Sequence, residues 1–316
     1  MRHCGAAFRR SAGVWFSLGI GLLACGAAQG DPWTPEAHTG SATVVYQFAH
    51  SQYHLSSTGQ KLDVGTTNTQ SVYTHINYDI TDYAAVYVGL PWIKKQYNGN
   101  LLHDIEDAQG NIHVSKEDDG KYRDGLQDLT LGFQYRFDWG DWAVTPFAAY
   151  TTPTHNYPQF THAALGLNQE KLELGFEAGR LLPAPLTPVY VQIGYGYSFL
   201  EKFAGVRISL STLTLETGYV ATDRLVLRVF AVGQKTHGGL DDEDFAYLFG
   251  GRTDHDRDLW FHHHQTSRVD FIEGGIGATY AIGEQTSVFG LCYRTLWGEG
   301  GHATQYALGF GISRQF

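Results

Sequence analysis

The amino-acid sequence predicts an all-β protein, a transmembrane antiparallel up-and-down β-barrel of about twelve strands. Three observations support this fold class. Segments of alternating apolar and polar residues recur along the chain, long polar connections alternate with short turns, and the whole follows a secretion-type N-terminus. A period of two indicates strands with one apolar and one polar face. Closed barrels are the β structures that span membranes, because they leave no unpaired strand edge in lipid.

The first 30 residues are interpreted as a secretion signal. A basic start is followed by an apolar stretch, residues 14–24, and then by small residues. Cleavage after Gly30 would leave residues 31–316 as a single outer-membrane barrel domain. The segment around Cys25 also resembles a lipoprotein box, which would instead place a lipid on that cysteine.

Composition excludes several classes of protein. The formal net charge is −10 and no basic patch is visible, which argues against a nucleic-acid partner. No apolar run of 18 residues follows the signal, so no membrane helix is expected. The 38 glycines and 19 tyrosines, against one methionine, fit a β protein with close strand contacts and aromatic girdles. Outside the signal, Cys292 is the remaining cysteine, so no internal disulfide is expected.

The first half of the chain supplies six predicted strands. The first runs from about Ser41 to Tyr53, and the fourth and fifth form a hairpin within Gly125–Thr151 that turns at Trp139-Gly140-Asp141. In the fourth strand an apolar face opposes the charged face that carries Asp128 and Arg136. The predicted lipid-facing residues of this half are Val44, Tyr46 and Phe48; Val72, Ile76, Tyr78 and Ile80; Val86, Val88, Leu90 and Trp92; Leu129, Leu131, Phe133, Tyr135 and Phe137; and Leu172, Leu174 and Phe176.

The second half supplies six more. The eighth strand, Val206–Val220, changes phase in its middle, which predicts a β-bulge near Ser211-Thr212. In the eleventh strand Cys292 falls on the predicted lumen side. The apolar faces of the other strands in this half are Val189, Val191, Ile193, Tyr195, Tyr197 and Phe199; Leu225, Leu227 and Val229; Ile272, Ile276, Tyr280 and Ile282; Phe289, Leu291, Tyr293 and Trp297; and Tyr306, Leu308, Phe310, Ile312 and Phe316.

Loop lengths predict the topology. Short turns near residues 81, 140, 185, 223 and 284 alternate with connections near 60, 110, 160, 203, 250 and 300, several of them long. Bacterial barrels keep short turns in the periplasm and long loops outside. Both termini are therefore expected in the periplasm, which requires an even strand number. Ten or fourteen strands would result from one miscounted hairpin.

Three motifs resemble an outer-membrane family named for the phenol meta-degradation pathway: Tyr78–Trp92, Gly125–Phe137 and Tyr219–Leu225. They carry Thr-Asp turns followed by apolar residues, and the Gly-Leu-Gln-Asp-Leu strand. The C-terminal Tyr306–Phe316 resembles the signal that the barrel-assembly machinery reads on the final aromatic residue, although Arg314 departs from its alternation.

The resemblance implies a channel or transporter in the bacterial outer membrane, in contact with lipid and lipopolysaccharide. Small, aromatic or hydrophobic solutes are expected to pass passively, because no energy-coupling segment is visible near the N-terminus, and no cofactor is expected. The alternative is a largely closed barrel with a structural or loop-mediated binding role.

Charged residues on the polar faces are the candidate site. Their inward assignment follows because an arginine facing lipid at mid-membrane costs about 2–4 kcal/mol. They either form ion pairs that fill the barrel or line it and select solutes. Their mixed signs predict no strong preference between anions and cations. The predicted lumen-lining residues are Asp128, Arg136, Glu173, Glu177, Arg228, Glu273 and Arg294.

No metal site or catalysis is expected. His255 and His262–His264 lie in an acidic loop, but three consecutive histidines have no fixed ligand spacing. His54-Leu55-Ser56 and His113-Val114-Ser115 have the His–Ser spacing of outer-membrane phospholipases, but neither continues with Asn-Gly. Nucleotide-binding and hydrolase motifs do not occur in the sequence.

Overall fold

A computed structural model describes residues 33, 36–99, 104–106, 112–114, 118–159, 162–186, 188–241, 259 and 262–316. The predicted signal segment, Cys25 included, and the acidic loop residues 242–258, with His255, lie outside this part of the chain. Within it, no helix is long and apolar enough to cross a membrane.

The described chain forms seventeen strands and one short helix. The elements are β1 (Gly40–Leu55), β2 (Lys61–Leu62), β3 (Gly65–Asp79), β4 (Ala84–Gly99), β5 (Asp104–Glu106), β6 (Ile112–Val114), β7 (Arg123–Leu126), β8 (Asp128–Tyr135), β9 (Phe137–Trp139), β10 (Trp142–Pro153), β11 (Lys171–Leu181), β12 (Val189–Leu200), β13 (Ile208–Val220), β14 (Leu225–Gly238), α1 (His263–Thr266), β15 (Asp270–Ala281), β16 (Thr286–Glu299) and β17 (His302–Gln315).

Twelve of these strands close into an antiparallel barrel, in the order β1-β3-β4-β8-β10-β11-β12-β13-β14-β15-β16-β17 and back to β1. The predicted fold class and strand number are confirmed. Closure joins the two ends of the barrel domain: Gly40 and Phe316 exchange backbone hydrogen bonds, each 2.9 Å long. The hydroxyl of Thr43 donates to that of Ser313 at 2.8 Å on the inner side of the same seam. Every edge that an open sheet would expose is thereby paired.

Strands β7 and β9 continue β8 at its two ends. The interruption between β8 and β9 has a chemical cause, because Pro146 of β10 has no N–H to donate across the ladder. Pairing of β10 with β9 stops at Val144, and pairing with β8 resumes at Phe147. Strand β2 pairs with β1, and β5 with β6 in a separate hairpin.

Side chains alternate between an exposed outer wall and a buried interior. In β1, Val44 and Tyr46 are each 43% exposed, whereas Thr43, Val45 and Gln47 are buried. Large apolar side chains cover the outer wall of every barrel strand, and we call this surface the apolar belt. Its members include Ile76, Val86, Leu131, Phe133, Leu174, Leu215, Leu227, Val229, Ile276, Leu308 and Phe310.

Strand β16 has the opposite orientation to the one predicted. Phe289, Leu291 and Tyr293 are buried in the barrel, while Arg294 is exposed and Cys292 lies on the same outer side. The prediction was wrong because both faces of this strand carry apolar residues near its ends, so alternation alone does not identify the inner face. A register shift against β15, between Ile272 and Glu273, adds to the ambiguity.

The predicted bulge in β13 is also absent. Its pairing with β12 and β14 proceeds without a register shift, and Ile208, Leu210 and Glu216 all face inward. The interior of the barrel is apolar next to the loops that fold into it, so the inward residues of β13 are apolar there. This produces the apparent change of phase in the sequence. Ile208 is 5% exposed there.

The two ends of the barrel differ. One end, the short-turn end, holds the chain termini of the barrel domain and tight turns such as Trp139–Trp142, where Gly140 has φ 61°. The opposite end, the loop end, carries the longer connections 56–64, 100–122, 154–170, 201–207 and 239–269 and the short turn 300–301. This alternation of short and long connections is the one predicted from the sequence.

Candidate functional site

The described residues of the connection between β10 and β11, 154–159 and 162–170, fold into the barrel at the loop end, and we call them the plug. Tyr157, His162 and Ala163 are buried to 3%, 4% and 1% exposure. A segment this polar enters a protein interior only where its backbone groups find partners. The partners come from the barrel wall and from the neighbouring loops, so the plug is tied in place on several sides.

Three ties hold the plug to the wall and to the loop before β7. Lys95 Nζ donates to the carbonyl oxygen of Ala164 at 3.2 Å. Asp118 Oδ1 accepts from the N–H of Ala163 at 3.2 Å. The hydroxyl of Tyr157 donates to Asp128 Oδ1. The first and last of these join the plug to β4 and β8, so plug and wall move as one unit while the ties persist.

The loop that carries Asp118 is held in shape by contacts of the next residue, Asp119. Asp119 Oδ1 accepts from the backbone N–H of Lys121 at 3.0 Å, and its other oxygen pairs with Arg123 at 2.9 Å. The hydrogen bond from the Lys121 backbone, followed by the two cationic side chains, lowers the pKa of Asp119 below its usual value. The carboxylate therefore stays ionised and keeps this turn closed.

Helix α1 packs on the plug from the other side. Gln265, 3% exposed, donates from Nε2 to the carbonyl oxygen of Leu167 at 2.7 Å. Its Oε1 lies 2.9 Å from His262 Nδ1, which in turn lies 3.2 Å from Gln159 Nε2. Gln265 thus joins the two inward-folded loops to each other.

Histidines gather where the plug meets the wall. His162 stacks on Tyr97, with ring centroids 4.2 Å apart, and its Nδ1 lies 3.4 Å from Nε2 of His302. His54 and His264 lie next to this pair, with centroid distances of 5.2 and 6.3 Å. Across the part of the chain that the structure describes, no group of three or more His, Cys, Asp or Glu side chains could hold a metal ion. The ring contacts of the cluster join the plug to β4, β1 and β17.

Below the plug the lumen contains a cavity of about 340 Å³, which we call the chamber. Small hydroxyl side chains, three aromatic rings and four charged groups line it together. The main lining residues are Gln47, Ser51, Thr67, Thr69, Ser71, Tyr73, Lys95, Asp128, Thr130, Thr151, Leu167, Gln169, Lys171, Leu200, Leu210, Val269, Phe271, Glu273, Tyr293, Thr295, His302 and Thr304. Pockets for small ligands begin at about this volume.

A charged layer crosses the lumen on the side of the chamber nearer the short turns. Glu173 pairs with Lys171 at 3.2 Å, and Glu216 pairs with Arg228 at 3.5 Å. Glu177, 2% exposed, accepts from Gln192 Nε2 at 3.4 Å. Buried carboxylates are tolerated only with such partners.

Inward aromatic rings of one strand lie over glycines of the next. A Cβ added to Gly132 would come within 2.0 Å of the Tyr87 ring, which faces it directly across the β4–β8 ladder. Glycine is needed at these places because the ring occupies the space that a side chain would fill. The other pairs of this kind are Phe147 with Gly175, Tyr190 with Gly218, Phe230 with Gly275 and Phe289 with Gly311.

The short-turn end is narrowed by an apolar cluster. Tyr190, Val226 and Ala281 are buried together, and Trp33 packs on them from the segment that precedes β1. The rings of Trp33 and Tyr190 meet edge to face at 5.8 Å. The chamber therefore lies between the plug on one side and these layers on the other.

The structure brings five of the seven sequence-predicted residues into the lumen and separates them into two levels. Asp128 and Glu273 line the chamber. Glu173, Glu177 and Arg228 belong to the charged layer, each at most 6% exposed.

The other two predicted residues lie elsewhere. Arg136 sits at the short-turn end, where Nη2 pairs with the exposed Asp138 at 2.8 Å. Arg294 is on the outer wall. With two of the three predicted arginines outside, the balance of charge inside becomes acidic. Among the described residues, the inward carboxylates of the two levels are Asp128, Glu173, Glu177, Glu216 and Glu273, and the inward cations are Lys95, Lys171 and Arg228.

Sequence reasoning missed Lys95, Lys171, Glu216 and the plug residue Gln169. Lys171 and Glu216 fall on the polar parity of their strands, so alternation was a sufficient signal for both. Lys95 was missed because it lies beyond Trp92, the last residue of the apolar alternation on which the third predicted strand was based, whereas β4 extends to Gly99. Nothing in the local sequence indicates that a loop folds inward, so Gln169 had no such signal.

Comparisons with known proteins agree with the fold. No family model matches the chain, and no curated protein matches it. Among solved structures, an outer membrane channel from Pseudomonas putida F1 has a TM-score of 0.65 at 15% identity, over 92% of this chain and 100% of that one. The translocator domain of the autotransporter NalP from Neisseria meningitidis has a TM-score of 0.49 at 11% identity, over 88% of each chain. NanC porin has a TM-score of 0.47 at 7% identity, over 86% of this chain and 98% of that one. At these identities the likeness concerns the fold alone.

The fold and the apolar belt together determine the location. An outer wall of large exposed apolar side chains around a polar interior is the reverse of a water-soluble protein and matches a barrel surrounded by lipid. The protein is an outer-membrane β-barrel of the bacterial type.

Proposed function

We propose that this protein is a channel through which small solutes cross the outer membrane passively. The observation that carries the proposal is the chamber, a cavity of about 340 Å³ enclosed within a closed barrel. A barrel built only as a membrane anchor needs no such space, since eight strands already give an interior that side chains can fill. The solved outer membrane channel of the same fold supports a channel role.

The chamber lining favours solutes with both a ring and polar groups. Tyr73, Phe271 and Tyr293 offer aromatic surface, and hydroxyls of residues such as Thr130 and Thr151 offer hydrogen bonds. Aromatic faces stack on flat rings, and fixed hydroxyls orient a bound molecule. We therefore retain small aromatic solutes as the class proposed from the resemblance to the phenol meta-pathway family.

Passage through the lumen requires two movements. The plug must leave the loop end, and the side chains of the charged layer must separate. Glu177 and Gln192 bridge adjacent strands with one hydrogen bond, and such single contacts exchange readily for contacts with a solute. We expect the plug and the charged layer to exclude molecules that are too large for the passage that these two movements open.

The orientation and partners are proposed on the same basis. The short-turn end and both termini of the barrel domain face the periplasm, as in other bacterial barrels. The exposed Phe316 is the residue through which the assembly machinery would recognise the chain. The apolar belt contacts lipid, and the loop end contacts lipopolysaccharide.

A second candidate function follows from a specific observation. Both ends of the lumen are filled in this structure, by the plug and by the cluster that includes Trp33. A barrel that stays closed would serve a structural role or bind a partner through its loops. The two candidates differ in one measurable property, the passage of solutes.

The test is conductance and flux of the refolded protein. Planar bilayers would report ion conductance, and vesicles would report entry of a small sugar, of benzoate and of phenol, with protein-free vesicles as the control for phenol. Ion conductance with faster protein-dependent entry of the aromatic solutes supports the proposed channel. No conductance and no flux from protein shown to be folded would establish the closed barrel instead.

A further inference from the structure

Four buried oxygen atoms of the chamber have no hydrogen-bond partner within the part of the chain that the structure describes. They are Gln47 Oε1, Thr67 Oγ1, Gln169 Oε1 and Glu273 Oε2, and all four residues line the chamber. Each residue is at most 8% exposed. An unpartnered buried polar atom costs about 1–3 kcal/mol, and more when it is charged. Four such atoms in residues that line one cavity indicate a site that a molecule in the chamber completes once the side chains turn these covered atoms toward it.

Of the four atoms, Glu273 Oε2 costs the most free energy to leave without a partner, because it belongs to a carboxylate. Oε1 of Glu273 accepts from the hydroxyl of Thr295 at 3.3 Å, and the side chain of Thr304 is a second hydrogen-bond partner of this carboxyl group. The Thr295 hydroxyl is oriented in turn, since the N–H of Thr304 donates to Thr295 Oγ1 at 2.9 Å and leaves the hydroxyl proton for Glu273. One carboxylate oxygen is thereby held by the wall while the other, Oε2, remains for a ligand.

The two lysine side chains that line the chamber bind acceptors other than Glu273. Lys171 Nζ pairs with Glu173 at 3.2 Å, and Lys95 Nζ donates to the carbonyl of Ala164 in the plug. The second chamber carboxylate, Asp128, accepts from Tyr157. Among the described residues, Glu273 Oε2 is the chamber carboxylate oxygen that is buried without a hydrogen-bond partner.

The other three atoms are fixed or neutral oxygens. Gln169 Nε2 donates to the carbonyl of Glu201 at 3.2 Å, and this bond directs the amide oxygen of Gln169 away from that partner. Gln47 Oε1 is a second amide oxygen, and the Thr67 hydroxyl accepts as readily as it donates. Together the four atoms form an acceptor-rich lining, which matches a ligand with several N–H donors.

We propose that the chamber binds small organic ammonium ions, with Glu273 Oε2 as the ionic acceptor and the oxygens of Gln47, Thr67 and Gln169 taking up the remaining N–H donors. A primary ammonium has three donors and one positive charge. Its organic part meets the rings of Tyr73, Phe271 and Tyr293, whose faces attract cations and apolar groups alike. The proposal names the solute class of the channel proposed above and rests on the chamber being part of its route.

The test uses three ligands of one size: benzylammonium, benzyl alcohol and benzoate. Each is titrated calorimetrically into the refolded full chain in detergent. We expect saturable binding of benzylammonium, at least about tenfold tighter than that of the other two. A charge-assisted hydrogen bond contributes about 1.5–3 kcal/mol, and about 1.4 kcal/mol corresponds to a tenfold change in Kd.

Glu273→Gln removes the charge and keeps the shape, and we expect it to weaken benzylammonium binding about tenfold or more. The matched control is Glu284→Gln, the same change at an exposed residue of the turn between β15 and β16, outside the lumen. This control should leave the affinity unchanged. Unheated electrophoretic mobility of each variant shows that the barrel has folded.

Three outcomes would overturn the proposal: no heat with any ligand, which indicates a chamber that holds water alone; equal binding of the three ligands; and equal loss in both variants. Bilayer conductance distinguishes a failure of the ammonium proposal from a failure of the proposed channel function. Ion conductance without ammonium preference removes the solute class and leaves the channel. Ammonium binding without conductance removes the channel and leaves the binding site.

Discussion

Arg228 and Glu216 face each other inside the barrel from the neighbouring strands β14 and β13, with 3.5 Å between Nη1 of the arginine and Oε2 of the glutamate. Only 5% and 6% of the two side chains remain exposed. The hydroxyl of Tyr190 donates to the other oxygen of Glu216. The pair therefore closes a small network in which each carboxylate oxygen has a partner.

Replacing Arg228 with Ala leaves the Glu216 carboxylate buried without its cation. Loss of one partner of a buried ion pair costs about 3–5 kcal/mol, so we expect the free energy of unfolding to fall by about 3 kcal/mol. Urea unfolding of the protein in lipid vesicles measures the change. Arg294→Ala is the contrasting variant, because Arg294 is exposed on the outer wall, where an arginine facing lipid costs up to about 2–4 kcal/mol, so we expect no loss of stability or a gain. Equal losses in the two variants would contradict the placement of these arginines.

Gly132→Ala is expected to destabilise the barrel by about 1–3 kcal/mol, the range for an overpacked interior. The added Cβ would lie 2.0 Å from the ring of Tyr87 and would push it from the wall into the lumen. Gly283→Ala provides the comparison, since no atom lies within 4 Å of the position of its Cβ. Unfolding in urea should separate the two variants, and a stable Gly132→Ala protein would show that the ring has room to move.

Gln265→Ala is expected to raise the open fraction of the channel in planar bilayers by about fivefold, since one hydrogen bond contributes about 1 kcal/mol net. The variant removes the 2.7 Å bond to the Leu167 carbonyl that joins α1 to the plug. Gln60→Ala changes the same residue type at an exposed position of the same end and should leave the open fraction as it is. If opening does not respond to Gln265, the plug does not close the route.

Cys292 provides a direct test of the face of β16. Because its side chain lies on the outer wall, a maleimide dissolved in the lipid should label it in vesicles faster than a sulfonated, water-soluble maleimide does. A Gln60→Cys, Cys292→Ser protein carries its thiol on the exposed loop end and should show the reverse order. Preferential labelling of Cys292 by the water-soluble reagent would mean that it faces the lumen after all.

Much of the fold follows from local alternation. The residue-by-residue period of two in segments such as Val189–Phe199 identifies a strand and its lipid face at once, because lipid and lumen demand opposite chemistry. Turn lengths then fix the up-and-down order. The interior positions of Asp128, Glu173 and Glu177 follow from the same parity.

Alternation fails where both faces are apolar. In β16 the inward Phe289 and Leu291 resemble lipid-facing residues, and in β13 the inward Ile208 and Leu210 resemble a change of phase. In each case the interior is apolar because rings or loops pack there, a property of neighbouring strands rather than of the strand itself. The wrong face for β16 also placed Arg294 in the predicted lumen, whereas its side chain is exposed on the outer wall.

The sequence by itself therefore determined that this chain is an outer-membrane barrel of about twelve strands, because the period of side chains along a strand is a local property. The tertiary structure alone decided that residues 154–159 and 162–170 enter the barrel and that Glu273, Gln47, Thr67 and Gln169 line one chamber. These four residues are far apart in the chain, and barrel closure and loop packing are what bring them together.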